Sequence, residues 1–274
     1  MVNKKLEVKR LLIYLVTVFA FALVPLVFWK PFGESRTFYY IVGMIFCCSP
    51  AFANILARKL TNEGFNDMKL HLNLRGHFRW YLVAFFVPII VTFSGTIFVS
   101  IVHNKPIIAE GVSLLDIATT IFMLGSQAAV FSLIGVGEEL GWRGYMNDKL
   151  EALFGTLGAC LIGGVIWGFW HVPSDIAVYL NGFGTSSELL YGLVERSILP
   201  ICLGIFLMWL TKKTNSVWPA VIGHTTYNES LNVGLMFFGE AEGRMESSVS
   251  NWTLFIPFVI MGVLFLLMMR KKTE

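Results

Sequence analysis

Apolar runs long enough to cross a bilayer recur along this chain, and that recurrence decides its fold class. Leu11–Trp29 is the first. Others follow at Phe38–Ala57, Trp80–Val102, Ser113–Val136, Thr156–His171, Ser187–Leu210, Val217–Phe238 and Trp252–Met269. A helix needs about 20 largely apolar residues to span hydrocarbon. In that solvent each backbone N–H and C=O must find its partner inside the protein, which favours helices for runs of this kind. The predicted fold is all-α: a polytopic membrane helix bundle of about eight transmembrane helices. Of 274 residues, 55% are hydrophobic and 14% charged, with no shift in composition that marks a second domain. The sequence reads as a single membrane-embedded domain over residues 1–274.

Charge distribution orients it. With the N-terminus in the cytoplasm, the inner segments hold sixteen Lys and Arg, and the outer ones hold Lys30, Arg36, Lys105 and Arg244. Basic residues collect on the cytoplasmic side, so both termini are expected there. Arg58–Arg79 mixes basic with apolar residues and suits a segment lying on the membrane surface. The net charge of +3 is absorbed by these flanks; the lipid bilayer is the expected partner, and nucleic acid is not. Cys47, Cys48, Cys160 and Cys202 lie in apolar runs without zinc-ligand spacing and are expected to be buried small hydrophobes. No internal repeat is evident, which argues against an inverted-repeat transporter.

Against this background the ionisable residues inside the runs stand out, because charge in hydrocarbon is costly. Glu138 and Glu139 close the fourth run. Phe154–Gly158 reads as the turn of a helical hairpin, and Glu138 lies 17 residues before Gly155 while His171 lies 16 after it. In two antiparallel helices of equal rise these positions face each other. His224 follows the basic turn Lys212–Asn215, and Asn228 is its i+4 neighbour, on the same face. Adjacent helical residues diverge by about 100°. Glu139 is therefore expected to pair with Arg143, its i+4 partner, leaving Glu138 free for chemistry. Gly141 is expected to leave room beside Glu138 for substrate or water, Trp167 and Trp170 to line the cavity, and Pro173 to kink or end its helix.

A carboxylate, two imidazoles and an amide in a dry site suit hydrolysis of a peptide bond. The carboxylate activates water as a general base, and a His with an Asn amide can donate to the oxyanion. The same side chains offer a second arrangement. Glu138, His171 and His224 make a two-His, one-carboxylate set for zinc, although the H-E-x-x-H pattern is absent.

Taken in order, Glu138-Glu139-x-x-x-Arg143, the aromatic-x-x-x-His of Trp167–His171 and His224-x-x-x-Asn228 resemble the motif series of the CAAX prenyl endopeptidase and bacteriocin-processing (CPBP, Abi) family. The resemblance covers a motif-bearing core of about residues 113–238, with Trp167 standing where the family often has Phe. It implies an intramembrane peptidase in which Glu138 and His171 activate the water and His224 and Asn228 form the oxyanion site. It also implies a prenylated CAAX-type substrate or, in a bacterial cell membrane, another peptide or membrane protein, reached from the cytoplasmic side. Zinc is the cofactor in question. Two other classes compete: a non-catalytic scaffold in bacteriocin immunity or envelope regulation, and a proton-coupled transporter. In the sixth and seventh runs, mutual pairing is expected to account for Glu195, Arg196 and Glu229.

Overall fold

The computed structural model describes residues 3–30, 35–102, 104, 111–237 and 255–270, and every regular element in it is helical. The helices are α1 (Lys4–Ala22), the short α2 (Val24–Val27), α3 (Arg36–Leu60), α4 (Phe78–Val102), α5 (Leu114–Gly141), α6 (Asn147–Leu180), α7 (Ser186–Thr214), α8 (Trp218–Phe237) and α9 (Ile256–Arg270). A five-residue π turn, Trp142–Met146, joins α5 to α6. Polar residues at the starts mark the boundaries: Asn3 and Ser35 cap α1 and α3, while Ser113 with Asp116 and Thr185 with Glu188 form capping boxes on α5 and α7. Each such side chain satisfies an N–H that the first turn leaves without a partner. Asn215 stops α7 in the left-handed region, at φ 48°.

The protein is a multi-pass membrane helix bundle. Each of the eight predicted segments carries helix, but the count of eight spans needs correction. Among the described residues, five elements are long and apolar enough to cross a bilayer: Lys4–Val27, Arg36–Leu60, Phe78–Val102, Leu115–Leu180 and Ser186–Thr214. The fourth and fifth predicted spans fall within one 66-residue stretch. It is broken at Gly155, whose φ of 71° and ψ of 175° are not helical. The chain reverses there, since Trp167 returns to meet Glu138. The seventh, α8, dilutes its apolar residues with His224, Thr225, Thr226, Asn228 and Glu229. The last, α9, has 15 residues. Lys105, Arg244, the acidic Gly239–Asn251 and the C-terminal basic pair Lys271 and Lys272 lie outside the described residues. Pro173 neither ends nor interrupts α6, which runs on to Leu180.

Outward-facing Val16, Phe122 and Leu133 remain 70%, 75% and 74% exposed, as a lipid-facing surface requires. The interior is aromatic, with Tyr14, Trp142, Tyr145, Trp170 and Phe206 buried. Cys160 and Cys202 are buried among these helices, whereas Cys47 is half-buried and Cys48 exposed.

Glycine allows close helix contacts at two places that bear on the site. A Cβ on Gly141 would sit 2.3 Å from the Pro50 side chain of α3, and one on Gly168 would sit 1.9 Å from the Arg196 carbonyl oxygen of α7. Small residues let backbones approach and replace the driving force that lipid does not supply. Gly141 therefore seats α3 rather than opening space for substrate. Gly168→Ala is expected to push α6 and α7 apart and cost at least about 1–3 kcal/mol. A lowered thermal unfolding midpoint in detergent checks this; an unchanged midpoint refutes it.

Residues 61–77, between α3 and α4, are not helical. They fold back over one end of the bundle. Lys69 pairs with Asp148 at 2.6 Å, the Val217 N–H donates to the Lys69 carbonyl at 2.9 Å, and the Trp218 indole donates to the Leu70 carbonyl at 2.8 Å. Arg58 reaches Asp67 in the same stretch. Partial burial raises the Asp67 carboxyl, but the Arg58 hydrogen bond and charge outweigh it and hold it below the usual carboxylate range. At this end too, Lys149 meets Glu7 at 3.1 Å and also Glu63, which Arg10 approaches at 3.3 Å.

Candidate active site

Two neighbouring carboxylates at the end of α5 face different surroundings. Glu139 is fully buried, and one of its oxygens, Oε1, serves two partners. Arg143 Nη1 donates to it at 3.0 Å and His224 Nδ1 lies 2.9 Å away. The Arg143 guanidinium also stacks over Trp167, 4.2 Å from its ring centroid. So Glu139 is bound to Arg143 as its spacing predicted, and it also orients His224, which spacing alone gave no reason to expect. Glu138 instead borders a cavity of about 200 Å³, and the Trp167 indole N–H donates to its Oε2 at 3.3 Å.

The second histidine is fixed in a similar way. His171 Nδ1 lies 2.9 Å from the carbonyl oxygen of Trp167, one turn earlier on α6. A carbonyl only accepts, so this nitrogen carries the proton and Nε2 keeps its lone pair. In His224 the carboxylate of Glu139 likewise calls for a proton on Nδ1. In both rings Nε2 is the nitrogen left for chemistry.

The cavity collects side chains from four helices. Glu138 comes from α5, Trp167 and His171 from α6, and His224, Tyr227 and Asn228 from α8. Leu199, Pro200 and Leu203 of α7 supply an apolar wall, with Glu195 and Arg196 at one end. The four residues predicted for chemistry thus border one space. Asn228 is exposed and makes no hydrogen bond with the described residues, so its amide is free to donate.

Other expectations need correction. Trp170 does not border this cavity. It is fully buried, stacked on Phe46 of α3 with centroids 3.8 Å apart, and its indole donates to Ser49 Oγ at 3.2 Å. Arg196 does not pair with Glu195. It reaches Asp175 of α6, through Nε at 3.2 Å and Nη2 at 3.4 Å. Asp175 stands at i+4 from His171, a spacing that offered the signal. Glu229 is buried in α8.

Sequence reasoning also missed the contribution of α3. Asn54 is fully buried, donates to the Leu140 carbonyl at 2.8 Å and accepts from Arg58 Nε at 2.7 Å. Leu140 sits between the Glu pair and the π turn, where the backbone ladder changes pitch. A hydrogen bond to its second lone pair fixes the helix phase at that point. Asn54→Leu leaves Arg58 and this carbonyl without their buried partner, at a cost of about 1–3 kcal/mol. Faster hydrogen exchange confined to residues 138–147 is the expected readout; exchange no different from wild type there would rule the role out.

Glu138, His171 and His224 are chemically suited to zinc, with both rings anchored at Nδ1 as metal-bound histidines commonly are. Yet among the described residues no three His, Cys, Asp or Glu side chains converge closely enough to hold an ion.

Similarity to known proteins falls on this part of the chain. CAAX prenyl protease 2 of Methanococcus maripaludis is 34% identical over 118 residues, which are 41% of this chain and 41% of that protein. The chain therefore matches about two fifths of the length of this curated relative. Residues 120–230, which hold every predicted site residue, match the family model of the Rce1-like type II CAAX prenyl endopeptidases.

Proposed function

We propose that this protein is an intramembrane endopeptidase that cleaves near the C-terminus of a prenylated CAAX-type or other hydrophobic membrane substrate. The observation that carries this reading is the single cavity bordered by Glu138, His171, His224 and Asn228, within the stretch that matches the endopeptidase family. A water between Glu138 and His171 gives its proton to the carboxylate as its oxygen attacks the peptide carbonyl carbon. Negative charge then builds on the carbonyl oxygen, where His224 Nε2–H and the Asn228 amide donate to it. For His224 to donate there, both its nitrogens carry protons, and the Glu139 carboxylate beside Nδ1 supports that form. When the tetrahedral intermediate collapses, the C–N bond breaks and the proton held by Glu138 passes to the leaving amine. Arg143 holds Glu139 in place. Glu138, His171 and His224 would have to draw closer than they stand to hold zinc, and such an ion would supply polarisation of the carbonyl and a more acidic water.

On the same reading the bundle lies in a bacterial cell membrane, both termini are cytoplasmic, and the cavity opens to that side. The support is the bundle end shared by α1, residues 61–77 and the start of α6, where Arg10 meets Glu63, Lys149 meets Glu7 and Lys69 meets Asp148.

The test uses protein purified in detergent with two quenched-fluorescent peptides, a farnesylated CAAX peptide and its unprenylated hydrophobic counterpart, each with and without chelator. Cleavage that survives chelation is expected of a Glu–His water. Cleavage lost to chelator and restored by zinc assigns the metal role. Turnover of neither peptide by folded protein overturns the reading and favours a binding role.

A further inference from the structure

One carboxylate in the cavity wall has no part in the chemistry above. Glu195 of α7 borders the cavity and makes no hydrogen bond or ion pair with the described residues. An ionisable group at membrane depth is costly to leave without a counter-charge. Its sequence neighbour Arg196 is near enough to act on it electrostatically but makes no direct ion pair with it, because the guanidinium is held on Asp175 through two nitrogens. The placement is built into the backbone: the Arg196 carbonyl rests on Gly168, where a Cβ would lie 1.9 Å away, so this turn of α7 is fixed against α6 one residue from Trp167. Summing the charges at this end of the cavity, Arg196 and Asp175 cancel and Glu195 remains. Glu138, across the same space, has the same sign. Tyr227, whose ring packs on Phe258, also borders the cavity, and an aromatic side chain attracts a cation as a carboxylate does. From Arg196 the wall continues along one face of α7 as Leu199, Pro200 and Leu203, which is apolar.

We infer that Glu195 and Tyr227 form a subsite for a cationic group, so that the preferred substrate is a hydrophobic peptide carrying a Lys or Arg side chain close to the scissile bond. The apolar face of α7 takes the neighbouring side chains, and the ammonium or guanidinium completes the charge of Glu195. This identifies a substrate class within the peptidase reading and rests on that reading. It is read out by binding as well as by cleavage, so the two stand or fall separately.

The experiment measures equilibrium binding of fluorescent hydrophobic peptides to wild-type protein in detergent. One position at a time is set to Lys, Gln or Glu, and cleavage of the same peptides is followed in parallel. At one position the Lys peptide is expected to bind about tenfold tighter than the Gln peptide, the order of one charge-assisted hydrogen bond. Glu195→Gln should abolish the preference, and Glu195→Asp, which keeps the charge, should retain most of it. An unchanged thermal unfolding midpoint shows that each variant is folded. A Lys preference that persists in Glu195→Gln overturns the subsite, as does equal binding of all three peptides. Preference for the Glu peptide, lost in Arg196→Gln, also overturns it and assigns the wall to carboxylate binding. Cleavage without preference leaves the peptidase and removes the subsite; preference without cleavage does the reverse.

Discussion

Glu138→Gln is expected to lower cleavage by about 10²–10⁴-fold, the range for loss of a general base, with the thermal unfolding midpoint unchanged. The amide has the shape of the carboxylate and still offers an oxygen to the Trp167 indole that bonds Glu138 now. What it lacks is the capacity to take a proton from water. The effect should fall on kcat and leave KM nearly as it was, since an isosteric change alters the reaction coordinate more than the fit of the peptide. Steady-state kinetics on the farnesylated peptide, beside a melting curve, makes the comparison. Retention of more than about a tenth of wild-type turnover would assign the base elsewhere, because no such residual is compatible with the range above.

The second large effect is on stability. Arg143→Ala removes the cation from a pair in which both partners are almost wholly buried, at 3% and 0% side-chain exposure. Breaking such a pair typically costs about 3–5 kcal/mol, because the remaining charge has neither water nor counter-ion. Here the remaining carboxylate would be Glu139, left with His224 as its one hydrogen-bond partner, and the orientation of both would loosen. Poor expression, or a strongly lowered unfolding midpoint with little activity in what folds, is the expected result. Arg143→Lys should recover part of the stability but not the stacking on Trp167, which depends on the planar guanidinium. A stable, fully active alanine variant would show that Glu139 does not need this partner.

The local relations in this site were legible in the sequence because helices have fixed periods. Glu139 and Arg143 meet because four residues make about one turn, and His224 and Asn228 share a face for the same reason. The fold-back that brings α6 against Glu138 was legible in Gly155, a residue suited to the positive φ of 71° found there. Contacts between helices distant in sequence were not. Nothing in the spacing of Glu139 and His224 shows that one carboxylate oxygen receives both Arg143 and His224. Nothing in Pro50 says that it lies on Gly141. Trp167 and Trp170 look equivalent as letters, yet three helical positions turn one to the cavity and the other into the core. The span count erred for a related reason. Apolar length is a sound guide for α1, α3, α4 and α7, but α8 gives up hydrophobicity to carry the polar groups of the cavity.

The seat of α3 on α5 also bears on how the protein is made. Pro50 and Asn54 emerge from the ribosome well before Gly141 and Leu140, the positions they rest on. During that interval α3 is in the bilayer with a buried-type amide that has no carbonyl to meet. Arg58 and Asp67, close in sequence, can already pair and hold the polar end of α3 at the membrane surface. Lateral docking must then wait for α5, so the helix that brings the reactive carboxylates is also the one that completes the early part of the bundle. Synthesis halted before residue 140 would leave α3 inserted without its seat on α5, a form suited to recognition by membrane quality control.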